Sequence, residues 1–223
     1  MELGEKQRRQ VEAIRSGRPW ASRDLGSALS DGVEYPLHYL DLEAPREPLP
    51  RFPGMRPFDL LPFQFSCHVL DAPGAPLRHS DFLMTDHGDP RRPFAEKLLR
   101  CVGKSGSVLV YSGFEATAIR ALARSEPNLA RDLLALLARL VDLLAIIRKH
   151  YYHPAFMGSY SIKKVLPALV PGLSYEGMEV ADGMNRPGER ERCAAFVQDL
   201  RNDPHTRLLE ADAALFWRGF DLY

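Results

Sequence analysis

A short apolar stretch that ends in two carboxylates constrains this 223-residue chain more than any other feature. Residues 35–40 are mostly apolar and lead into Asp41-Leu42-Glu43. Alternate side chains of a β-strand point to the same face, so Asp41 and Glu43 are expected to project together from the end of a buried strand. Two carboxylates on one face can hold Mg²⁺ or Mn²⁺ and are the minimal start of a two-metal phosphoryl-transfer site. The plain alternative is a strand that runs out into an acidic, solvated turn.

The composition indicates a soluble globular protein, with 45% hydrophobic and 26% charged residues. Lys plus Arg equals Asp plus Glu, at 29 each. This balance excludes a strongly basic, histone-like binder, but an enzyme with a locally basic site remains compatible with it. Cys67, Cys101 and Cys193 form no zinc pattern and are interpreted as reduced, buried thiols. No apolar run approaches the ~18 residues of a membrane span, and the chain starts without an apolar signal region, so we expect a cytoplasmic protein.

Hydrophobic periodicity and turn residues predict the elements of the chain. Residues 1–32 are expected to form a polar helical connector or arm, and residues 33–223 a single domain with a divergent tail over 185–223. The predicted elements of that domain, in chain order, are strands over 33–43, 61–70 and 78–84, a helix after Asp89-Pro90, a strand over 107–111, helices over 114–123 and 128–149, a loop over 151–160, and a helix over 161–166 stopped by Pro167. The first three strands are expected to form an antiparallel meander, and the fourth is apolar enough to be buried on both faces.

The resulting order, β-β-β-α-β-α-α-α, predicts an α/β fold with a ribonuclease H-like mixed sheet flanked by helices. In this arrangement three antiparallel strands are followed by parallel strands. The first strand, which carries Asp41 and Glu43, is expected to lie at the centre of the sheet.

Two further acids occupy informative positions. Glu115 follows the buried strand at the start of a helix, where ligands gather at the carboxyl ends of parallel strands. Asp142 is a single acid in a strongly apolar stretch, where a lone buried carboxylate is costly unless it is paired or bound to a metal. The plain alternatives are a helix-dipole role for Glu115 and an ion pair between Asp142 and Arg139. Four acids in this order favour a shared metal site.

These residues resemble the motifs of the DnaQ-like, or DEDD, 3′–5′ exonucleases of the ribonuclease H-like superfamily. Asp41-Leu42-Glu43 matches their first motif, Phe114-Glu115 is similar to their second, and Val141-Asp142-Leu143 is similar to the aspartate segment that follows in many members. The second motif departs from the family pattern, because Ser112 stands near the place of the usual Asn and Glu115 replaces the commoner Asp.

A closer resemblance is to an uncharacterised bacterial domain family of that superfamily, over about residues 7–183. The resemblance rests on residues 39–43, 62–68, 89–91, 114–115, 139–143, 152–154 and 158–167. In that family the domain commonly follows a nuclease-like module that resembles Cas4 or RecB. The resemblance therefore implies such an upstream module as a partner.

The resemblance also implies a mechanism with two Mg²⁺ or Mn²⁺ ions. Asp41 is expected to bridge them, Glu43 to complete one shell, Glu115 to bind the second ion, and Asp142 or Asp212 to close the site. This chain matches the third motif of the DnaQ-like exonucleases poorly. His205 lies five residues before Glu210 and is the spaced candidate for orienting the attacking water, while Asp212 matches the family's C-terminal acid better than Glu210 does.

Residues of the predicted loop over 151–160 and of the helix after it, together with Phe114, could bind the nucleic acid. Lys163 and Lys164 could contact phosphates, and the rings of Phe114 and Tyr160 could contact bases. The sequence thus predicts a metal-dependent 3′–5′ exonuclease that acts on DNA or RNA, with single-stranded 3′ ends as the expected substrate. Two alternatives stay open: a degenerate ribonuclease H-like module that binds nucleic acid or protein without catalysis, and an unrelated metal phosphohydrolase.

Overall fold

Helices and strands alternate irregularly along the chain in the computed structural model, which describes residues 3–85 and 87–169. The helices are α1 (Glu5–Ser16), α2 (Leu25–Ser30), α3 (Arg91–Val102), α4 (Phe114–Ser125), α5 (Ala130–Leu137), α6 (Leu143–His150) and α7 (Ile162–Leu169). The strands are β1 (Trp20–Ala21), β2 (Leu37–Glu43), β3 (Gln64–Leu70), β4 (Arg78–Leu83), β5 (Ser107–Val110), β6 (Leu140–Asp142) and β7 (Tyr151–Tyr152), and a 3₁₀ turn covers Pro154–Phe156.

Five strands form a mixed sheet in the order β4-β3-β2-β5-β6. The pairs β2–β3 and β3–β4 are antiparallel, which confirms the predicted meander, whereas β2–β5 and β5–β6 are parallel. The strand that carries the two carboxylates is therefore the central one. The protein has an α/β fold in which a mixed sheet is flanked by helices.

One face of the sheet packs on helices α3, α4 and α5. Leu40 and Leu42 of β2 point to this side, together with Phe65 of β3 and Val108 of β5, and all four are at most 4% exposed. Burial of apolar side chains of this size contributes roughly 1.5–3 kcal/mol each. Period-two alternation then directs the neighbouring residues of β2, including Asp41, to the opposite face.

Helices α2, α6 and α7 cover the opposite face of the sheet over β2 and β5. Leu37, Leu109 and Leu143 are buried there, and partly buried side chains of α2, α6 and α7 pack against them. Because Leu37 alternates in phase with Asp41 and Glu43, α7 lies on the same side of the sheet as the two carboxylates.

The N-terminal segment lies against the rest of the protein. Strand β1 pairs with β7 through Trp20↔Tyr152, Ala13 of α1 is buried in the same apolar cluster, and the Arg9 guanidinium stacks over the Trp20 ring at 4.3 Å. Helix α1 is thus held by an aromatic cluster rather than by a broad apolar face of its own.

The structure corrects three predicted boundaries. The helix predicted over 128–149 is wrong, because strand β6 divides it into α5 and α6. Pro167 does not stop the last described helix, which continues to Leu169 with Pro167 inside it. The loop predicted over 151–160 contains β7 and the 3₁₀ turn. Among the described residues, no helix is long and apolar enough to cross a membrane.

Candidate metal and nucleic-acid site

Asp41 and Glu43 lie at the end of the central strand, on the face that carries Leu37. The Asp41 side chain is exposed to solvent and Glu43 is half-buried. The protein that surrounds Asp41 nevertheless raises the pKa of its carboxyl group. Water therefore reaches a carboxylate that the surrounding protein leaves incompletely solvated. Burial, followed by the charge of Asp41, raises the pKa of Glu43 to about 7.

Glu115 is a buried acid in the first turn of α4, directly after β5. Its side chain is 4% exposed. Burial is the main cause that raises its pKa to about 7, and the charges of Asp41 and Asp142 raise it further. The Ser112 side chain hydrogen-bonds to the Glu115 carboxylate and partly opposes this rise. The second oxygen, Oε2, has no hydrogen-bond partner among the described residues.

Asp142 is the last residue of β6 and the N-cap of α6. Its carboxylate accepts a hydrogen bond of 3.1 Å from the Ala145 backbone N–H. The alternative in which Asp142 pairs with Arg139 is wrong, because the Arg139 guanidinium donates to the backbone carbonyls of residues 102, 103, 105 and 106 instead. One oxygen of Asp142 thus serves helix α6.

The parallel strands bring these acids to one edge of the sheet. Tyr39 of β2 lies beside Leu109 of β5, and Val110 lies beside Asp142 of β6. The chain leaves all three strands at the same edge, which is where open α/β sheets bind ligands. Asp41 acts electrostatically on both Glu43 and Glu115, and Asp142 acts on Glu115. The four acids therefore share one electrostatic environment.

The chemistry of these acids fits a hard divalent cation. Carboxylate oxygens are the ligands that Mg²⁺ and Mn²⁺ prefer, and a buried Glu115 oxygen without a hydrogen-bond partner is free to become one. The distances between the described acids fit a metal ion less well than their chemistry does. Within residues 3–85 and 87–169, no group of three His, Cys, Asp or Glu side chains is close enough to hold a metal ion.

The predicted C-terminal contributors fall elsewhere in the chain. His205, Glu210 and Asp212 lie outside the described residues, so their roles as a water-orienting group and as a closing ligand stay predictions. The predicted divergent tail over 185–223 also lies outside the described residues, so it too stays a prediction.

The predicted nucleic-acid contacts occupy different environments. Phe114 is half-buried and packs against the main core. Tyr160 is 8% exposed and lies in the aromatic cluster under α1, with the Lys6 ammonium 5.3 Å from its ring centre. Lys163 is half-buried and Lys164 is exposed in the first turn of α7.

A hydrogen bond ties the start of α7 to the carboxylate edge. The Tyr111 hydroxyl, one residue beyond β5, donates to the Tyr160 carbonyl oxygen at 2.8 Å. Leu166 and Leu169 of α7 pack against the same apolar cluster as Leu109. The two lysines are therefore carried on a helix that is anchored beside the strand leading to Glu115.

Sequence reasoning missed the role of two residues near the acids. Ser112 hydrogen-bonds to Glu115 and also accepts from the Phe114 backbone N–H at 3.1 Å. Arg139 ties the turn before β5 to the residue before β6. The role of Ser112 could have been predicted, because it lies three residues before Glu115 in the short turn between β5 and α4. The backbone carbonyls that Arg139 binds have no sequence signature.

Comparison with known proteins relates the chain to a family. A family model described as Domain of unknown function (DUF2779) matches residues 38–161, which include Asp41, Glu43, Glu115 and Asp142. No curated protein and no solved structure matches the chain.

Proposed function

The chain belongs to the family described as Domain of unknown function (DUF2779), and we propose that it is a metal-dependent 3′–5′ exonuclease of the DnaQ-like type. Its substrate would be the 3′ end of single-stranded DNA or RNA. The observation that carries the proposal is that Asp41 and Glu43 end the central strand, while Glu115 starts the helix that follows the neighbouring parallel strand β5, so the three acids lie at one edge of the sheet.

The order of strands supports this proposal. In the sheet order β4-β3-β2-β5-β6, three antiparallel strands are followed by two parallel ones, and the Asp-x-Glu strand is central. This is the order expected of a ribonuclease H-like fold. The position of Glu115 at the start of the helix after β5 supports the similarity of Phe114-Glu115 to the second exonuclease motif.

The residues of this chain have distinct tasks in the proposed reaction. Bound Mg²⁺ or Mn²⁺ would supply an activated water and neutralise charge on the phosphoryl group. Asp41 is the solvent-accessible ligand, Glu43 stands beside it on the strand, and Glu115 offers the oxygen that lacks a hydrogen-bond partner. Asp142 adds negative charge while it caps α6. Lys163 and Lys164 would hold phosphates of the incoming strand.

A second candidate function is a ribonuclease H-like module that binds nucleic acid without cleaving it. Two observations support this binding module. No three of the described acids are close enough to hold a metal ion. The Asp142 carboxylate already accepts a hydrogen bond from the Ala145 backbone N–H and so caps α6.

The experiment uses single-stranded DNA and RNA of one sequence, each labelled at the 5′ end. Wild-type protein is incubated with each strand in Mn²⁺, in Mg²⁺ and in EDTA, and a 3′-phosphorylated strand serves as the control. The proposal predicts a ladder of successively shorter labelled products in metal alone, which is weakened by the 3′ block. Retained binding with no shortening in any metal would establish the binding module instead.

A further inference from the structure

A basic cavity lies between the edge of the sheet and α3, apart from the carboxylates. Its volume is about 300 Å³. Arg78, Ser80, Lys97, Arg100 and Cys101 are among the residues that line it. No carboxylate of the described residues lines this cavity, so it favours an anionic occupant.

The three cations of the cavity are not equivalent. Asp71 neutralises Arg78 through two hydrogen bonds of 2.7 and 2.9 Å. Lys97 and Arg100, on α3, form no ion pair with any carboxylate among the described residues. The positive charge available to a ligand therefore comes mainly from these two side chains.

A thiol forms part of the wall between these cations. Cys101 is half-buried in the last turn of α3, while Cys67 of β3 is fully buried and Ser80 lies directly opposite Cys67 in the sheet. The Cys101 sulfur hydrogen-bonds to Cys67 and to Ser80. Two donors and a positively charged cavity stabilise a thiolate, which is the reactive form of cysteine.

The pKa directions of the two cysteines agree with this arrangement. The hydrogen bond from Cys67, followed in smaller part by Ser80 and the charges of Lys97 and Arg78, lowers the pKa of Cys101. The same hydrogen bond, together with burial, raises the pKa of Cys67. Full burial of Cys67 disfavours its charged form, whereas Cys101 is half-buried beside Lys97, so Cys101 is the thiol favoured to ionise.

We propose that the cavity is a modification site, at which Cys101 reacts with a small disulfide that carries carboxylates, of the class of glutathione disulfide. Lys97 and Arg100 bind the carboxylates and bring the disulfide to the Cys101 sulfur. The buried Cys67 is a positioning residue, because it acts on the ligand only through Cys101.

The reaction is a thiol–disulfide exchange. The Cys101 thiolate attacks one sulfur of the bound disulfide, a new S–S bond forms, and the original S–S bond breaks. The departing thiolate takes a proton from water. Cys101 is oxidised to the mixed disulfide and one half of the small disulfide is reduced to the thiol, so no other oxidant is needed.

The site is independent of the proposed exonuclease chemistry. Cys67 alternates with His68 along β3, and its face packs on α3, whereas Asp41 lies on the opposite face of the sheet. Modification of Cys101 can therefore be tested whether or not the protein cleaves nucleic acid.

The test compares an anionic with a neutral disulfide on the full chain in a Cys193→Ser background. Glutathione disulfide and 2-hydroxyethyl disulfide are reacted with the protein at pH 7, and addition is followed by intact-mass spectrometry with peptide mapping. We expect one addition, at Cys101, that Cys101→Ser abolishes. In the Lys97→Gln, Arg100→Gln double variant the ratio of anionic to neutral rates should fall about tenfold, the lower end of electrostatic steering.

Two results would overturn the proposal: addition at a residue other than Cys101, or an anionic-to-neutral ratio that the double variant leaves unchanged. Arg100 is exposed and Lys97 is half-buried, and glutamine keeps a polar side chain at both positions, so the fold is expected to survive; circular dichroism checks this.

The role of Cys67 has its own readout in the pH profile of the exchange rate. Cys67→Ser keeps a donor beside Cys101 and should keep the midpoint of the profile. Cys67→Val removes the donor and should move the midpoint to higher pH. An unmoved midpoint in a folded Cys67→Val protein would contradict the positioning role, while the charge-selectivity ratio would still test the cavity.

Discussion

Asp41 on β2 and Glu115 at the start of α4 share one electrostatic environment, and the charge of Asp41 helps to raise the pKa of the Glu115 carboxyl group. The parallel pairing of β2 with β5 brings them together, because β5 leads directly into the turn before α4. A second negative charge near a buried carboxylate such as Glu115 is costly without a counter-charge. A bound divalent cation would supply that counter-charge. A metal site would therefore explain why Asp41 and Glu115 lie at the same edge of the sheet.

Replacement of Glu115 should change how stability depends on pH in the metal-free protein. The pKa of Glu115 rises on folding from its ordinary value of 4.5 to about 7, so the folded state holds a proton that the unfolded state has released between these values. The free energy of unfolding should therefore decrease as pH rises from about 4.5 to about 7. Glu115→Gln removes this contribution and should stabilise the protein at pH 7.5 by about 3 kcal/mol.

Urea unfolding in EDTA at pH 5 and pH 7.5 measures this effect. Other titrating groups are common to both proteins, so the difference between them isolates Glu115. Equal pH dependence of the wild type and of Glu115→Gln would show that the carboxyl group is not destabilised in the folded state.

Two substitutions at Asp142 should separate its structural from its catalytic task. The carboxylate caps α6 through the Ala145 N–H. Asp142→Ser keeps a capping oxygen and should leave stability nearly unchanged, whereas Asp142→Ala should cost about 1 kcal/mol. If Asp142 also serves the reaction, both variants should lose metal-dependent shortening. Full activity of Asp142→Ser, measured on the labelled strand, would limit Asp142 to capping.

Arg139 should be required for stability in a way that lysine cannot replace. Its guanidinium donates to Gly106 at 2.7 Å, Gly103 at 2.8 Å and Val102 at 2.9 Å, and also to Ser105. Lysine lacks the planar fork that spans several carbonyls. Arg139→Lys should therefore lower the free energy of unfolding by about 2–3 kcal/mol. Arg131→Lys, at a side chain that is 96% exposed, is the matched control and should change it little.

Gly106 should tolerate no side chain. Its φ is +79°, and a Cβ built there would lie 2.0 Å from the Pro36 carbonyl oxygen, next to the start of β2. Gly106→Ala must therefore push apart the chain segments that lead into β2 and β5, at a cost of about 3 kcal/mol or more. Gly74, with φ of +76° and open space around it, is the control, and Gly74→Ala should cost only about 1 kcal/mol. Equal thermal shifts for the two variants would contradict the close approach.

The central part of the fold could be predicted because its strands have clear patterns. The alternation over β3 and the continuous apolar run of β5 are local signals, and both strands lie where the sequence indicates. Strand β6 could not be predicted, since its three residues lie between Leu-rich helices and are extended only because they pair with β5. Pro167 was misjudged for a related reason, because α7 is held by packing of Leu166 and Leu169.

The candidate site was predictable in its acids and not in their partners. The positions of Asp41, Glu43 and Glu115 in the fold could be predicted, because strand alternation and the end of a buried strand fix where such side chains lie. The cap formed by Asp142 depends on β6 and was therefore missed. The basic cavity could not be predicted, because its lining residues come from β4 and α3 and share no sequence motif. The sequence also predicted a buried thiol at Cys101, which is partly exposed.

A metal site built on Asp41 is tested most directly by the rate at which Asp41→Asn protein shortens a labelled strand in Mn²⁺. Asp41→Asn removes one charge with almost no change in shape, and Asp132→Asn, at an exposed acid on α5, is the matched control. We expect Asp41→Asn to lower the rate at least about 100-fold, comparable to the loss of other central catalytic interactions, while Asp132→Asn cleaves like the wild type. Equal rates for the two variants would contradict a metal site built on Asp41.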